Sequence, residues 1–294
     1  MNFTGTIYRP PYEAWSGLLQ VTAGCTHHNC KFCTLYDEIP FKFRVSPTKE
    51  IRSDLEELYA CTPDINRLFL TGANPFVLNA DKLKAIAFLS KQYLQKLTSI
   101  GCFARITDIS LKSEKDLKEL KAVGFNRITI GVETGDDEAL KFMNKGYASD
   151  DILLQCQRLD EAGIEYNFFY LTGIYGAGKS EKGVENTLKI FNQLNPKIIG
   201  SSMLTVFKNS KLYEEIIKGS FTEESEKEKL REVKNLISGL MIKTHFAMLG
   251  ASNMFMMQGT LPNDKEKLLS NIDDILSSYD ESTIRNYRDN LTQL

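Results

Sequence analysis

Six short apolar runs, at 17–22, 67–71, 101–106, 127–132, 165–171 and 197–204, alternate with segments of helical period at 48–60, 80–97, 113–122, 137–144, 149–162 and 181–194. Runs of strand length that each lead into a helix predict β-α units around a parallel sheet. Gly124 and Gly163 stand where two of these helices should stop, because glycine accepts the left-handed conformation of a helix C-cap. Past about residue 210 the alternation ends. There, 223–240 and 264–278 read as charged helices with an uncharged, Met-rich stretch between them. The expected fold is therefore α/β: a partial (β/α)6 TIM-like barrel over 1–210, with a mainly helical extension over 211–294 that covers the barrel mouth. In such barrels chemistry sits at the C-terminal ends of the strands.

Composition bounds the partners. With 36 Lys plus Arg against 38 Asp plus Glu, the net charge of -2 offers no basic footprint for nucleic acid or an anionic membrane. The start of the chain lacks a basic segment followed by an apolar one, so no secretory signal is expected. The longest uncharged stretch, 245–262, is broken by glycine and amide residues, so no transmembrane helix is expected either. A cytoplasmic location follows. In a reducing cytosol, grouped thiols bind metal or do redox chemistry rather than form disulfides. Of the six cysteines, Cys61, Cys102 and Cys156 are scattered and read as small buried hydrophobes.

The other three lie within nine residues just after the first strand, in Gly24-Cys25-Thr-His-His-Asn-Cys30-Lys-Phe32-Cys33, with gaps of four residues and then two. Three thiolates on one loop can hold three irons of a [4Fe-4S] cluster and leave the fourth open to a cofactor or substrate. Two alternatives compete. One is zinc held by Cys25, Cys30, Cys33 and His27 or His28, and the other is a chance grouping in a core. A second motif, Gly173-Ile-Tyr-Gly-Ala-Gly178-Lys179-Ser180, matches the phosphate-binding loop of nucleotide hydrolases and lies between a strand and a helix, as that motif requires. In that reading Lys179 reaches the outer phosphates and Ser180 a magnesium ion. The simpler reading is a glycine-rich strand-to-helix turn.

The cysteine spacing, with the aromatic Phe32 directly before the last cysteine, resembles the cluster motif of the radical S-adenosylmethionine (SAM) superfamily. The resemblance runs over nearly the whole chain, and Thr244-His245-Phe246, Ser252-Asn253 and Gly259-Thr-Leu-Pro262 resemble the end of a group of small proteins of anaerobic bacteria loosely labelled coproporphyrinogen-oxidase-like. Within it, Thr71-Gly72-Ala73-Asn74 corresponds to a Gly-Gly-Glu-like turn that contacts the SAM amino group, with one glycine of the pair kept. Glu133-Thr134-Gly135 and Met143-Asn-Lys145-Gly146 are similar to a pattern in which the glutamate reaches SAM. The resemblance implies a [4Fe-4S] cluster on Cys25, Cys30 and Cys33 as well as bound SAM. It also implies an electron donor such as flavodoxin or ferredoxin.

SAM carries an amine, a carboxylate, a ribose and an adenine. Glu133 suits the ribose hydroxyls, and a flat apolar slot on the fifth and sixth strands, where Leu171, Gly173, Met203 and Leu204 lie, suits the adenine. Arg105, at the end of the third strand, pairs either with a carboxylate of SAM or substrate or with Asp108. His245 is a second catalytic candidate, weighed against a satisfied buried histidine. Met248, Met254, Met256 and Met257 read as core filler or as the wall of a substrate pocket. The expected activity is cleavage of SAM to methionine and a 5′-deoxyadenosyl radical that takes a hydrogen atom from a small organic substrate or cofactor precursor, of oxidoreductase or transferase type. A nucleotide-binding protein built on 173–180 and a zinc-organised binding module are the alternatives.

Overall fold

Parallel strands buried on both faces should read as continuous apolar runs, as Leu68-Phe69-Leu70 does, with all three residues fully buried. The computed structural model describes residues 1–292 and divides into two compact units. The first comprises Met1–His28, Leu35–Gly131 and Gln155–Tyr166. The second comprises Asn29–Thr34, Val132–Leu154 and the chain from Asn167 onward.

In the first unit, β1 (Gly17–Gln20), β2 (Thr22–Gly24) and β3 (Phe43–Val45) precede α1 (Thr48–Cys61), β4 (Arg67–Thr71), α2 (Ala80–Tyr93), β5 (Ser99–Ala104), α3 (Ile106–Ser110), α4 (Glu114–Ala122) and β6 (Ile128–Glu133), whose last two residues belong to the second unit. The strand order is β1-β4-β5-β6, all parallel, with Gly17 opposite Leu68, Leu68 opposite Ile100 and Phe103 opposite Thr129. Leu19, Leu68, Phe69, Leu70, Ile100, Ile128 and Ile130 are fully buried along these strands. The apolar run 17–22 splits in two: after β1 the chain turns into β2, which pairs antiparallel with β3. At the end of that ribbon Gly24 has φ +77°, and a Cβ there would lie 2.3 Å from the Lys42 carbonyl oxygen. Only glycine can start the cysteine loop at this point.

In the second unit follow α5 (Asp137–Phe142), α6 (Ser149–Glu161, its later half in the first unit), β7 (Tyr166–Thr172), α7 (Ser180–Phe191), β8 (Ile198–Met203), α8 (Lys211–Ile217), α9 (Glu226–Gly239), β9 (Thr244–Met248), β10 (Met257–Leu261), α10 (Lys265–Ser278) and α11 (Glu281–Asp289). The order is β7-β8-β9-β10; the first two pairs are parallel and the last is antiparallel. The predicted helix ends hold, with Gly124 at φ +106° and Gly163 at φ +71°.

The region beyond 210 departs from expectation, because β9 and β10 lie where the sequence predicts only helices and an irregular stretch. Their outward positions carry His245, Gln258 and Thr260, so each strand shows one apolar face of two or three residues, too short a signal against the surrounding methionines. Met248 and Met257 pair in this ribbon and are buried, whereas Met256 is 70% exposed. The methionines are thus divided between core and surface. Cys61 is likewise exposed at the end of α1, against the expectation of burial. Cys102 and Cys156 are fully buried, and loss of hydration pushes both thiols well above their ordinary pKa. Among the described residues, no helix is long and apolar enough to cross a membrane.

Candidate functional site

The strand ends of the first unit carry a buried polar network. Thr71, the last residue of β4, is fully buried and donates its hydroxyl to the Tyr8 carbonyl at 2.8 Å, so its side chain is already committed within the protein. Gly72 follows with φ +117°, and a Cβ there would lie 2.3 Å from the Thr22 carbonyl oxygen. Ala73 is half-buried.

Asn74 is fully buried. Its Nδ2 donates to Thr26 Oγ1 at 2.8 Å and to the Asp108 carboxylate at 3.1 and 3.2 Å, while its Oδ1 accepts the Thr26 N–H at 3.3 Å. Thr26 directly follows Cys25. The turn after β4 therefore fixes the first end of the cysteine loop to a carboxylate just beyond β5. Burial raises the Asp108 pKa to about 6, although the Arg105 N–H (2.8 Å) and the Asn74 amide draw it down. Lys112, also buried, donates to the Asp108 carbonyl at 3.1 Å and to that of Phe76, and desolvation lowers its pKa to about 8. Arg105 is half-buried, with its guanidinium donating to Thr107 Oγ1 at 3.0 Å.

The later end of the loop belongs to the second unit. Cys33 N–H donates to the Cys30 carbonyl at 3.2 Å, closing a turn around Phe32. The Met143-Asn-Lys145 segment holds that turn at three points. Lys31 N–H donates to the Met143 carbonyl at 3.1 Å, Asn144 Nδ2 donates to the Asn29 carbonyl at 3.1 Å, and the Lys145 ammonium lies 5.7 Å from the centre of the Phe32 ring. Lys145 Nζ also donates to Glu133 Oε1 at 3.0 Å. Burial alone would lower the Lys145 pKa; the Glu133 carboxylate, with Tyr147 and Cys30 beside it, more than offsets this and holds the ammonium charged.

Glu133 has φ +63°, a region that costs a β-strand glutamate of order 1 kcal/mol or more. That strain lies at a strand end, beside the ion pair with Lys145. Thr134 does not share that position. It is fully buried, and its hydroxyl is engaged with Tyr175 at 2.9 Å and Thr187 at 2.8 Å.

All three cysteines of the loop are half-buried. Among the described residues no three His, Cys, Asp or Glu side chains stand close enough together to hold one ion. A cubane cluster does not ask for that, since each thiolate takes its own iron.

Loop 173–180 is not built as a phosphate cradle. Gly173 N–H donates to Glu232 Oε2 at 2.9 Å and Ala177 N–H to the Thr222 carbonyl at 2.8 Å. Glu228, held below the usual carboxylate range first by the Ser225 backbone, also receives the Gly178 N–H. Carboxylates and carbonyls of the chain thus take amides that would otherwise meet phosphate oxygens. Lys179 is exposed.

Of the four residues expected to line an adenine slot, Leu171 is half-buried and Gly173 is held by Glu232. Met203 is buried, with its sulfur accepting from Arg288 Nη2 at 3.2 Å, and the Leu204 carbonyl accepts from Lys229 Nζ at 3.0 Å. Asn253 grips the end of β8, accepting from Met203 N–H at 3.2 Å and donating to the Ser201 carbonyl at 2.9 Å. His245 stands at the other end. It is opposite Ile198, the first residue of β8, and its ring nitrogens lie 3.2 Å from Thr260 Oγ1 and Gln258 Oε1. A residue at the start of the parallel strands is on the wrong side for barrel chemistry, and its cross-strand bonds account for it.

The comparisons with known proteins bear on this arrangement. Residues 19–190 match the model of the Radical SAM superfamily. The chain is 26% identical over 144 residues to the heme chaperone HemW of Bacillus subtilis, covering 47% of this chain and 37% of that protein. It is 25% identical over 282 residues to the tRNA uridine(34) acetyltransferase of Methanocaldococcus infernus, covering 80% of this chain and 52% of that one. Each relative is thus spanned over about half its length or less. Among solved structures, Escherichia coli coproporphyrinogen III oxidase, a radical SAM enzyme, superposes with a TM-score of 0.57 at 19% identity over 76% of this chain and 51% of its own, a likeness of fold.

Proposed function

Because this chain belongs to the radical SAM superfamily, whose members bind a [4Fe-4S] cluster and SAM, we propose that it is itself a SAM-cleaving enzyme, with Cys25, Cys30 and Cys33 as the cluster ligands. When bound, the cluster supplies one electron that splits the sulfonium of SAM into methionine and a 5′-deoxyadenosyl radical, which then takes a hydrogen atom from substrate. One observation carries the reading: the turn holding Cys30 and Cys33 is bonded to the Met143–Lys145 segment, whose lysine holds the strained Glu133. A glutamate so placed has one oxygen on the ammonium and a second for the ribose hydroxyls. The turn at Gly72 presents backbone to the SAM amine, with Asn74 and Asp108 fixing the cysteine loop rather than touching ligand. Leu171 and the Gly173 backbone face the adenine.

Arg105 is kept as a partner for a carboxylate, and no catalytic role is kept for His245. The substrate is a small organic molecule or cofactor precursor, the reaction is of oxidoreductase or transferase type, and flavodoxin or ferredoxin supplies the electron in the cytosol. The exclusion of nucleic acid drawn from the net charge is withdrawn, since one relative is named for a tRNA uridine. The nucleotide-hydrolase reading loses its basis in the occupied amides of loop 173–180.

The ligand assignment is tested by anaerobic reconstitution with iron and sulfide. Four irons per chain and a visible charge-transfer band are expected, both lost in Cys30→Ala and kept in Cys61→Ala. Retention of the cluster in Cys30→Ala overturns the assignment.

A further inference from the structure

A cluster of buried charge in the second unit lies outside every motif used so far. From α9 and the residues before it, Glu224, Glu226, Lys229 and Glu232 are all fully buried. Glu226 is matched at one oxygen: its Oε1 meets Arg288 Nε at 2.7 Å, Lys229 Nζ at 3.2 Å and Arg285 Nη2 at 3.3 Å. Glu232 differs, because its partners belong to β7 and the turn beyond it. Its Oε1 accepts the Tyr170 hydroxyl at 2.6 Å and its Oε2 the Gly173 N–H at 2.9 Å.

Glu224 abuts Glu232, yet neither of its oxygens meets a donor. Two carboxyl groups in contact in a buried site can hydrogen-bond only if one keeps its proton. With no other donor to stabilise it as an anion, Glu224 is the one that keeps it.

We propose that Glu232 is a positioning residue for the β7 turn, fixing Tyr170 and Gly173 so that the turn's backbone receives the nucleoside half of SAM, with the neutral Glu224 donating a hydrogen bond to it. This rests on the SAM reading given above. Gly173 has φ +89°, and a Cβ there would lie 2.9 Å from Lys229 Cε, so turn and helix are fitted to each other. Glu232 spans both donors as no neutral residue could, since an amide oxygen and an amide nitrogen cannot both accept. Burial raises both acids, and the Glu232 charge raises Glu224 further. The charged or titratable neighbours are Lys229, Tyr170, Tyr175 and Glu228.

The test uses reconstituted full-length enzyme, with KM for SAM and kcat read from 5′-deoxyadenosine formation. Glu232→Gln is expected to raise KM for SAM about tenfold while kcat and iron content change less than about twofold. Glu224→Gln, whose amide N–H donates where the acid did, is expected to raise KM only about twofold. Hydrogen exchange on the wild type adds a measurement free of any folding defect, in which the Gly173 amide exchanges slowly. An unchanged KM in Glu232→Gln, equal damage from both substitutions, or rapid exchange at Gly173 overturns the proposal alone. Absence of 5′-deoxyadenosine from wild type overturns the SAM reading as well.

Discussion

The turn after β4 and the turn after β7 are both glycine turns at the C-terminal end of a parallel strand, yet they are held by different means. At the first, a neutral amide, Asn74, stands between Thr26 and one carboxylate, and Gly72 is locked against the Thr22 carbonyl. At the second, Glu232 grips the turn directly from a buried charge cluster, while Gly178 has open space around it. The first turn is tight by steric necessity and anchors the cysteine loop. The second is gripped at its root and has open space beside the Cα of Gly178 near its tip. Preorganisation at each is supplied by residues distant in sequence.

The largest effect that would sharpen this contrast is expected at Gly72. Gly72→Ala forces a backbone clash at a positive φ and should cost more than about 3 kcal/mol in urea unfolding. Gly178→Ala, at φ +74° with nothing within 4 Å, should cost about 1 kcal/mol. Equal costs would dissolve the distinction between locked and open turns.

Next in size is a pH effect at Asp108. Its native pKa of about 6 lies above that of the unfolded chain, about 3.9. Well below pH 4 the group is protonated in both states and imposes no penalty. As pH rises from about 4 to about 6 the unfolded chain ionises while the native group keeps its proton, so the native state loses up to about 3 kcal/mol, and the loss levels off above pH 6. Asp108→Asn should remove that pH-dependent loss, measured as the difference in unfolding free energy between pH 4 and pH 7. An unchanged difference would mean that the Asn74 network does not bury an ionisable carboxyl in this way.

The smallest effect is expected at the tip of the second turn. Lys179→Ala should leave stability within about 0.5 kcal/mol and SAM cleavage unchanged, because the side chain is exposed. A loss of magnesium-dependent nucleotide turnover in this variant would revive the phosphate-loop reading.

Much of the strand-helix order was legible because parallel strands leave unbroken apolar runs. The run at 67–71 coincides with β4, and Gly124 and Gly163 end their helices as expected. The strands β9 and β10 were not legible, since a ribbon with His245 and Gln258 on its outer face alternates too briefly to stand out from a Met-rich segment. Within the site, cysteine spacing and the Met143-Asn-Lys145 segment were visible as motifs, and the structure joins Cys30–Cys33 to that segment.

The supporting residues were invisible for a physical reason. A run such as Glu223-Glu-Ser-Glu-Lys-Glu-Lys is ordinarily a solvated helix face, and nothing in it tells that Glu226 and Lys229 are buried while Glu228 reaches a loop amide. From the motif of its turn, Asn74 reads as a ligand contact. Its role as a tie between Thr26 and Asp108 depends on a carboxylate 34 residues away.

The central claim, that the cysteine loop and the strand-end residues together make a SAM-cleaving enzyme, is tested most directly by one measurement. Anaerobically reconstituted protein is mixed with dithionite and SAM, and 5′-deoxyadenosine is quantified by chromatography. Formation of 5′-deoxyadenosine and methionine in equal amounts, abolished in Cys30→Ala, is predicted; a cluster-loaded protein that forms neither would contradict the account.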